Sequence, residues 1–394
     1  MTVGPWRREP WATLLSLLVG GAVWLLCLRL FFPVELPAPA GPATPQARAL
    51  AAHHLRLWRE PALRAREVER MRQGNAEWDF MGRTFLGLGL LELALREPER
   101  QAECLAAVDA ILDETLRLEA ERGQLHFLLS YARGAPFRAR VARSLFVDGE
   151  LLLLAAARRL VEERAELCAV TAERAAFCRA ALEEGPVLCG ESYPDECWTF
   201  CNAAALAGLR LHDAVDGADH RDLARRWVET ARARLVEPSS GLLISSFHHD
   251  GRVKDGPEGS SIWFAIHALW LVDEPFAREQ WARARAALGR DLLGFGWARE
   301  WPPGLAGPVD IDSGPVIPGV EASASSSGLA FLAAATAGDE AWLAALLRSL
   351  DLAGFPLADQ DGLRYAASNQ VGDAVLLRAL LHGPLWARAR ERLR

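Results

Sequence analysis

Apolar residues recur at three- and four-residue spacing through most of residues 48–393, and that periodicity confines the body of the chain to helices. Breakers punctuate the pattern at Glu97-Pro98, Gly217, Glu237-Pro238, Glu274-Pro275, Gly338-Asp339 and Gly383-Pro384. The candidate helices between them are 48–72, 76–97, 99–121, 138–163, 166–185, 196–217, 219–236, 259–273, 276–293, 321–337, 338–353, 370–382 and 384–393. Helices in successive hairpins imply an all-α fold, a closed (α/α)6 barrel whose inner helices aim their N-terminal ends at one mouth. A solenoid of helical repeats is the competitor, although no fixed-period consensus recurs. Short hairpins are expected at 241–256 and 359–366, and a long loop at 294–320.

The N-terminus reads differently. Residues 12–32, ATLLSLLVGGAVWLLCLRLFF, are apolar for about the 20 residues that cross a bilayer. Arg29 is the one charge inside, near enough to an end to snorkel. Arg7 and Arg8 precede the run, so the positive-inside rule leaves residues 1–11 cytoplasmic and the body outside. A cleaved signal peptide is the rival reading. Residues 33–47 are Pro/Ala-rich and read as a spacer before a single domain, 48–394.

Composition removes several functions. A net charge of -7 without a basic block argues against nucleic acid. Lys254 is the sole lysine, so no Walker A loop exists, and Schiff-base chemistry would rest on that residue alone. GxGxxG, GxSxG and HExxH signatures are missing as well. The reading calls for no cofactor and no metal.

Chemistry-bearing residues cluster in Cys189-Gly-Glu-Ser192-Tyr193-Pro194-Asp195-Glu-Cys197-Trp198-Thr-Phe-Cys201-Asn202. A helix starting at Pro194-Asp195 would make Asp195 an N-cap and put Cys197 and Cys201 on one face, near the positive end of the helix dipole. The alternative is packed cysteines beside a capped helix. A zinc site from Cys189, Cys197 and Cys201 lacks a CxxC knuckle. Asp148-Gly149-Glu150, after Phe146 and before a leucine string, places acids where burial is costly without partners. Asp79 opens another apolar helix, with an i,i+4 pair to Arg83 as its plain explanation. Asp310 and Asp312 lie in the long loop as a carboxylate pair, short of ligands for calcium. His248 and His249 sit on the hairpin, as surface residues or as catalysts. Trp198, Trp263, Trp270, Trp297 and Trp301 suit an apolar pocket wall or ordinary core.

Phe146 to about Lys254 resembles linalool dehydratase/isomerase. The matching text is Gly149-Glu150, Ser192-Tyr-Pro194-Asp195, Cys201-Asn202, Asp216-Gly-Ala-Asp219, Trp227, Pro238 and Gly241, with a looser match at 323–339 and Leu363-Arg364-Tyr365. The resemblance implies an (α/α)6 barrel and cofactor-free dehydration and isomerisation of a small terpene alcohol in an apolar pocket. Cys201 stands for one of the family's active-site cysteines. Ser192 replaces the other, and Glu150 replaces a histidine. Asp79 with Phe85 stands where the family has an aspartate and a tyrosine. Serine is a far weaker acid than cysteine, and glutamate titrates about two units below histidine, so altered chemistry follows.

The first reading is therefore a membrane-anchored lyase or isomerase for a small unsaturated alcohol or lipid-like substrate. Glu150 or Asp195 is its acid/base, with Cys201 assisting, Asp79 opposing and Ser192 also among the catalytic residues. Phe146, Asp148, Tyr193, Trp198, Asp310, Asp312, His248 and Trp263 would contact substrate. A glycosidase or lyase using paired carboxylates is the second reading. A non-catalytic envelope binding module is the third.

Overall fold

The computed structural model describes residues 10–38, 41–307 and 314–394. Arg7, Arg8, Asp310 and Asp312 lie outside the described residues. The chain opens with α1 (Pro10–Leu28), which buries none of its residues. With the turn that follows, Pro10–Phe31 is long and apolar enough to cross a membrane. The body starts at α2 (Pro45–Arg59), capped by Thr44, and continues in α3 (Pro61–Gly74). A single helix over 48–72 was expected. Pro61 divides it, because the proline ring forces Glu60 into an extended conformation.

Next come α4 (Ala76–Arg96), α5 (Gln101–Arg122), α6 (Leu145–Val161) and α7 (Glu166–Glu184). The helix expected from 138 begins only at Leu145. Backbone N–H groups of Arg138 and Ala139 bond the Glu191 carboxylate, and that of Arg140 bonds Glu184, so this stretch forms no helix ladder. Then follow β1 (Cys197–Trp198), α8 (Thr199–Asp216) and α9 (Arg221–Arg234). The hairpin β2 (Ser246–Phe247) and β3 (Val253–Asp255) lies within the stretch read as one, and β2 also pairs with β1. After α10 (Gly259–Val272) and α11 (Glu274–Ala287) comes β4 (Gly289–Leu292), where helix was expected to run to 293. Leu293 and Gly294 both have positive φ, the two-residue turn that joins β4 to β5 (Phe295–Ala298). The expected long loop thus contains β5 and β6 (Val316–Ile317), which pairs with β7 (Ala322–Ser323). The chain closes with α12 (Ala324–Ala337), α13 (Glu340–Ala353), the hairpin β8 (Pro356–Asp359) and β9 (Gly362–Tyr365), α14 (Gln370–Leu381) and α15 (Pro384–Arg392).

Six helices are buried over most of their circumference, as helices apolar all round must be. Every residue of α6 is buried, and nearly every residue of α10. These inner helices pack in a ring, α4–α6–α8–α10–α12–α14 and back to α4, with the others outside. This is an (α/α)6 barrel. Gly149 and Gly208 let α6 and α8 approach closely, since a Cβ on Gly149 would sit 3.0 Å from the Ala205 Cβ. The short helix α15 lies against α4, α6 and α8 and plugs the end of the ring where the inner helices finish. The other end stays open.

Candidate active site

A cavity of about 600 Å³ occupies the open mouth. All six inner helices line it with their first residues: Trp78 and Met81, Phe146, Phe200 and Cys201, Ser260 and Ser261, Ala324, Ser325 and Leu329, and Val371, Asp373 and Leu376. The positive ends of six helix dipoles therefore face one apolar chamber.

Its polar edge is built from the start of α4. Asn75 caps that helix by accepting the Glu77 N–H at 2.8 Å, which sets Glu77 in the first turn. Glu77, Trp78 and Met81 share the face toward the cavity. The Tyr193 hydroxyl donates to Glu77 Oε1 and accepts the Leu129 N–H at 2.8 Å. Burial and the Glu77 carboxylate push the Tyr193 hydroxyl far above its ordinary range. The Tyr193 ring stacks on Tyr131 at 4.8 Å. Glu196 then collects the Tyr131 hydroxyl at 3.0 Å, the Trp198 indole N–H at 3.2 Å and Lys254 Nζ at 2.9 Å. Half-burial opposes the Lys254 charge, but Glu196 and Asp255 raise its pKa, so the lone lysine is a held ammonium rather than an imine-forming amine.

Cys201 faces the cavity from the first turn of α8. Burial, with Glu150 and Glu77 nearby, keeps its thiol protonated despite a bond to the Ser192 side chain. Glu150 lies in the wall behind. Thr84 Oγ1 bonds its Oε2, and Oε1 is buried without a partner. Burial raises its carboxyl to about 8, against the pull of Thr84. A neutral Glu150 can reverse that bond and donate to Thr84, which also reaches the Met81 carbonyl at 3.1 Å. Across the chamber, Asp373 in the first turn of α14 is a second carboxyl lifted by burial, to about 7, although the Tyr365 N–H at 3.2 Å and Ser368 favour its charged form.

Of the residues singled out from sequence, Phe146, Tyr193, Trp198, Cys201 and Trp297 line this cavity, with Ser192 and Glu150 against Cys201. The other described ones do not line it. Asp195 is no N-cap: it has φ of 61° in a turn, and its carboxylate faces His248 at 3.4 Å and the His249 N–H at 3.2 Å. The helix starts later, so Cys197 lies on β1 rather than on a shared face with Cys201. Asp79 pairs with Arg83 at 2.7 Å and Arg72 at 3.2 Å, the plain explanation of its place. Asp148 is held by Arg143, Arg174 and Gln124 in a buried ion cluster. Trp263 is core, its N–H on Ser326 Oγ at 3.0 Å. All seven cysteines are free thiols. Glu77, Trp78, Tyr131 and Asp373 escaped the sequence reading. The signal for Glu77 was Asn75 as a cap two residues earlier.

A metal could be held elsewhere. His212, Asp213 and His220 place donor atoms within 4.8 Å of one another. Arg210 already pairs with Asp213, however, and the cluster lies about 18 Å along α8 from Cys201 at 1.5 Å per residue.

Residues 183–371 match the family model for linalool dehydratase/isomerase. Over that segment the chain is linalool dehydratase/isomerase-like. Ser192, Tyr193, Trp198 and Cys201 fall inside the match, whereas Glu77, Glu150 and Asp373 fall outside it. No curated protein sequence matches. Among solved structures, the GH76 α-mannanase of Bacteroides thetaiotaomicron is similar at 15% identity and a TM-score of 0.50, covering 79% of this chain and 87% of that one. The GH76A α-1,6-mannanase of Salegentibacter sp. HEL1_6 is similar at 12% identity and 0.50, covering 79% and 90%. Its inactive variant with two aspartates changed to alanine, in complex with α-1,6-mannotetrose, gives 12% and 0.50, covering 79% and 89%. These likenesses establish the barrel.

Proposed function

We propose that the protein is a membrane-anchored, cofactor-free lyase or isomerase acting on an unsaturated alcohol. The observation that carries this reading is the apolar chamber at the inner-helix N-termini, which Cys201, the Tyr193–Glu77 pair and Asp373 all face. Asp373 is the acid. Protonated, it gives its proton to the substrate hydroxyl, the C–O bond breaks, and water leaves. The allylic cation lies among Trp78, Phe146 and Phe200, whose ring faces attract positive charge. Glu77, already accepting the Tyr193 hydroxyl, takes the proton from the adjacent carbon, and a diene forms. In isomerisation the same water adds to the other end of the cation and returns a proton. Cys201 orients the hydroxyl, and neutral Glu150 keeps charge out of the wall behind it. The barrel lies on the extracytoplasmic side, the orientation that Arg7 and Arg8 favour.

The detergent-solubilised full chain, incubated with linalool, geraniol and longer prenyl alcohols, tests this by gas chromatography of the products. Asp373→Asn and Glu77→Gln should each lower turnover by roughly 10²–10⁴-fold. Turnover of the parent protein should fall as pH rises through about 7, where Asp373 loses its proton. Two carboxylates facing one cavity also suit a glycosidase. An inert alcohol panel with cleavage of α-1,6-mannan oligosaccharides would move the assignment there, and inactivity on both would leave the binding module.

A further inference from the structure

We infer that the cavity opens toward the bilayer that holds α1, and that its substrate is a hydroxylated lipid drawn from that membrane. The cavity wall at this side is the turn of chain against which the anchor ends. Gly296 and Trp297 of β5 line the chamber. The tip of the same hairpin receives the anchor: Phe32 meets Phe295 at 6.0 Å between ring centroids, and the Arg29 side chain packs on Gly294. Arg348 of α13 bonds the Gly294 carbonyl at 3.2 Å, tying the hairpin to the helix whose Leu350 and Ala353 line the cavity.

Among the described residues, large apolar side chains stand exposed around that opening, beside the ion-paired Asp291 and Glu321. Leu292 at the hairpin tip is 61% exposed, Ile317 on β6 57% and Phe355 after α13 64%. Ile317 itself lines the cavity, as does Gly354 next to Phe355. Val320, exposed as well, accepts the Trp297 indole N–H at 2.9 Å. Exposed apolar side chains gathered at a cavity rim mark an interaction surface. The occupant follows from α1, which finishes against this hairpin and carries the membrane with it. Arg29 lies where a snorkelling side chain reaches headgroups. A substrate taken laterally from the bilayer need not pass through water, which suits a chamber lined mainly by apolar side chains.

The rim can be tested whether or not the catalytic reading holds. Benzoylphenylalanine is placed at Ile317, Phe355 or Val141 of the full chain, which is reconstituted in phosphatidylcholine vesicles and irradiated. Val141 is an equally exposed apolar control before α6, across the ring from α12. Phospholipid adducts should form at Ile317 and Phe355 and stay at background at Val141. Equal labelling at all three, or cross-links to a second copy of the chain in place of lipid, would overturn the rim. The uptake step rests on the cavity as substrate site. A long-chain prenyl alcohol bearing a diazirine, dissolved in the same vesicles, should label α12 at Leu329 or Phe331 inside the cavity. Labelling without turnover would separate a failed enzyme assignment from a correct entry route. Rim adducts with no cavity labelling would reject lipid uptake.

Discussion

Glu92 and Glu150 are glutamates on neighbouring inner helices, 0% and 2% exposed, at opposite ends of one barrel. At the closed end Glu92 accepts the N–H groups of Gly383 at 3.3 Å and Leu385 at 2.8 Å, and so caps the plug helix α15. His382 faces it at 3.6 Å, and the Glu92 charge acts on Arg378. Arg378 donates to His267 Nε2 at 2.9 Å and lies over the Trp386 ring at 5.0 Å. Burial and the Arg378 charge hold His267 neutral. At the mouth Glu150 has Thr84 on one oxygen and, among the described residues, nothing on the other and no cation beside it. A buried carboxyl given donors and cations serves as a structural fastening. One denied them is left neutral, as a chemical group.

Removing each carboxylate should therefore have opposite effects. Glu92→Ala strands two backbone N–H groups and removes the counter-charge of Arg378, a loss of about 3–5 kcal/mol in denaturant unfolding of the full chain in detergent. A loss under about 1 kcal/mol would mean that α15 is held by packing alone. Glu150→Gln should stabilise. The carboxyl titrates near 8 when folded and 4.5 otherwise. Its penalty is absent below about pH 4, grows by about 1.4 kcal/mol per pH unit, and levels off above pH 8. The variant should thus match the parent at pH 4 and exceed it by up to about 3 kcal/mol at pH 7. An advantage flat across that range would assign the effect to packing instead of charge.

The contrast was half legible beforehand. Periodicity exposed the helices, and the costly burial of Asp148 and Glu150 was readable from the leucines around them. Their opposite fates were not, because Arg174, which answers Asp148, lies 26 residues away on α7, and Thr84, which meets Glu150, lies 66 residues back. Strand pairing hid the Cys197 position in the same way. β2 recruits residues 197–198 from the expected first turn of a helix. Cys201 and Tyr193 were found because their segment is dense in functional side chains. Glu77 was passed over for Asp79, two residues on and toward Arg83, because facing direction depends on where the cap sits.

The smallest expected effect probes how the mouth keeps Glu150 dry. Gly149 precedes it where α6 meets α8, and a Cβ there would lie 3.0 Å from the Ala205 Cβ and 3.2 Å from its backbone N. Alanine favours a helix over glycine by about 1 kcal/mol, whereas overpacking against backbone costs about 1–3 kcal/mol. Gly149→Ala should lose about 1 kcal/mol net, and Ala205→Gly in the same chain should recover only part, since the backbone contact remains. Crowding that parts α6 from α8 also lets water reach the unpartnered Glu150 oxygen. The pH dependence removed by Glu150→Gln should therefore be shallower in the Gly149→Ala background. An unchanged slope would mean that α6–α8 packing does not shield Glu150, and that its neutrality depends on the cavity side alone.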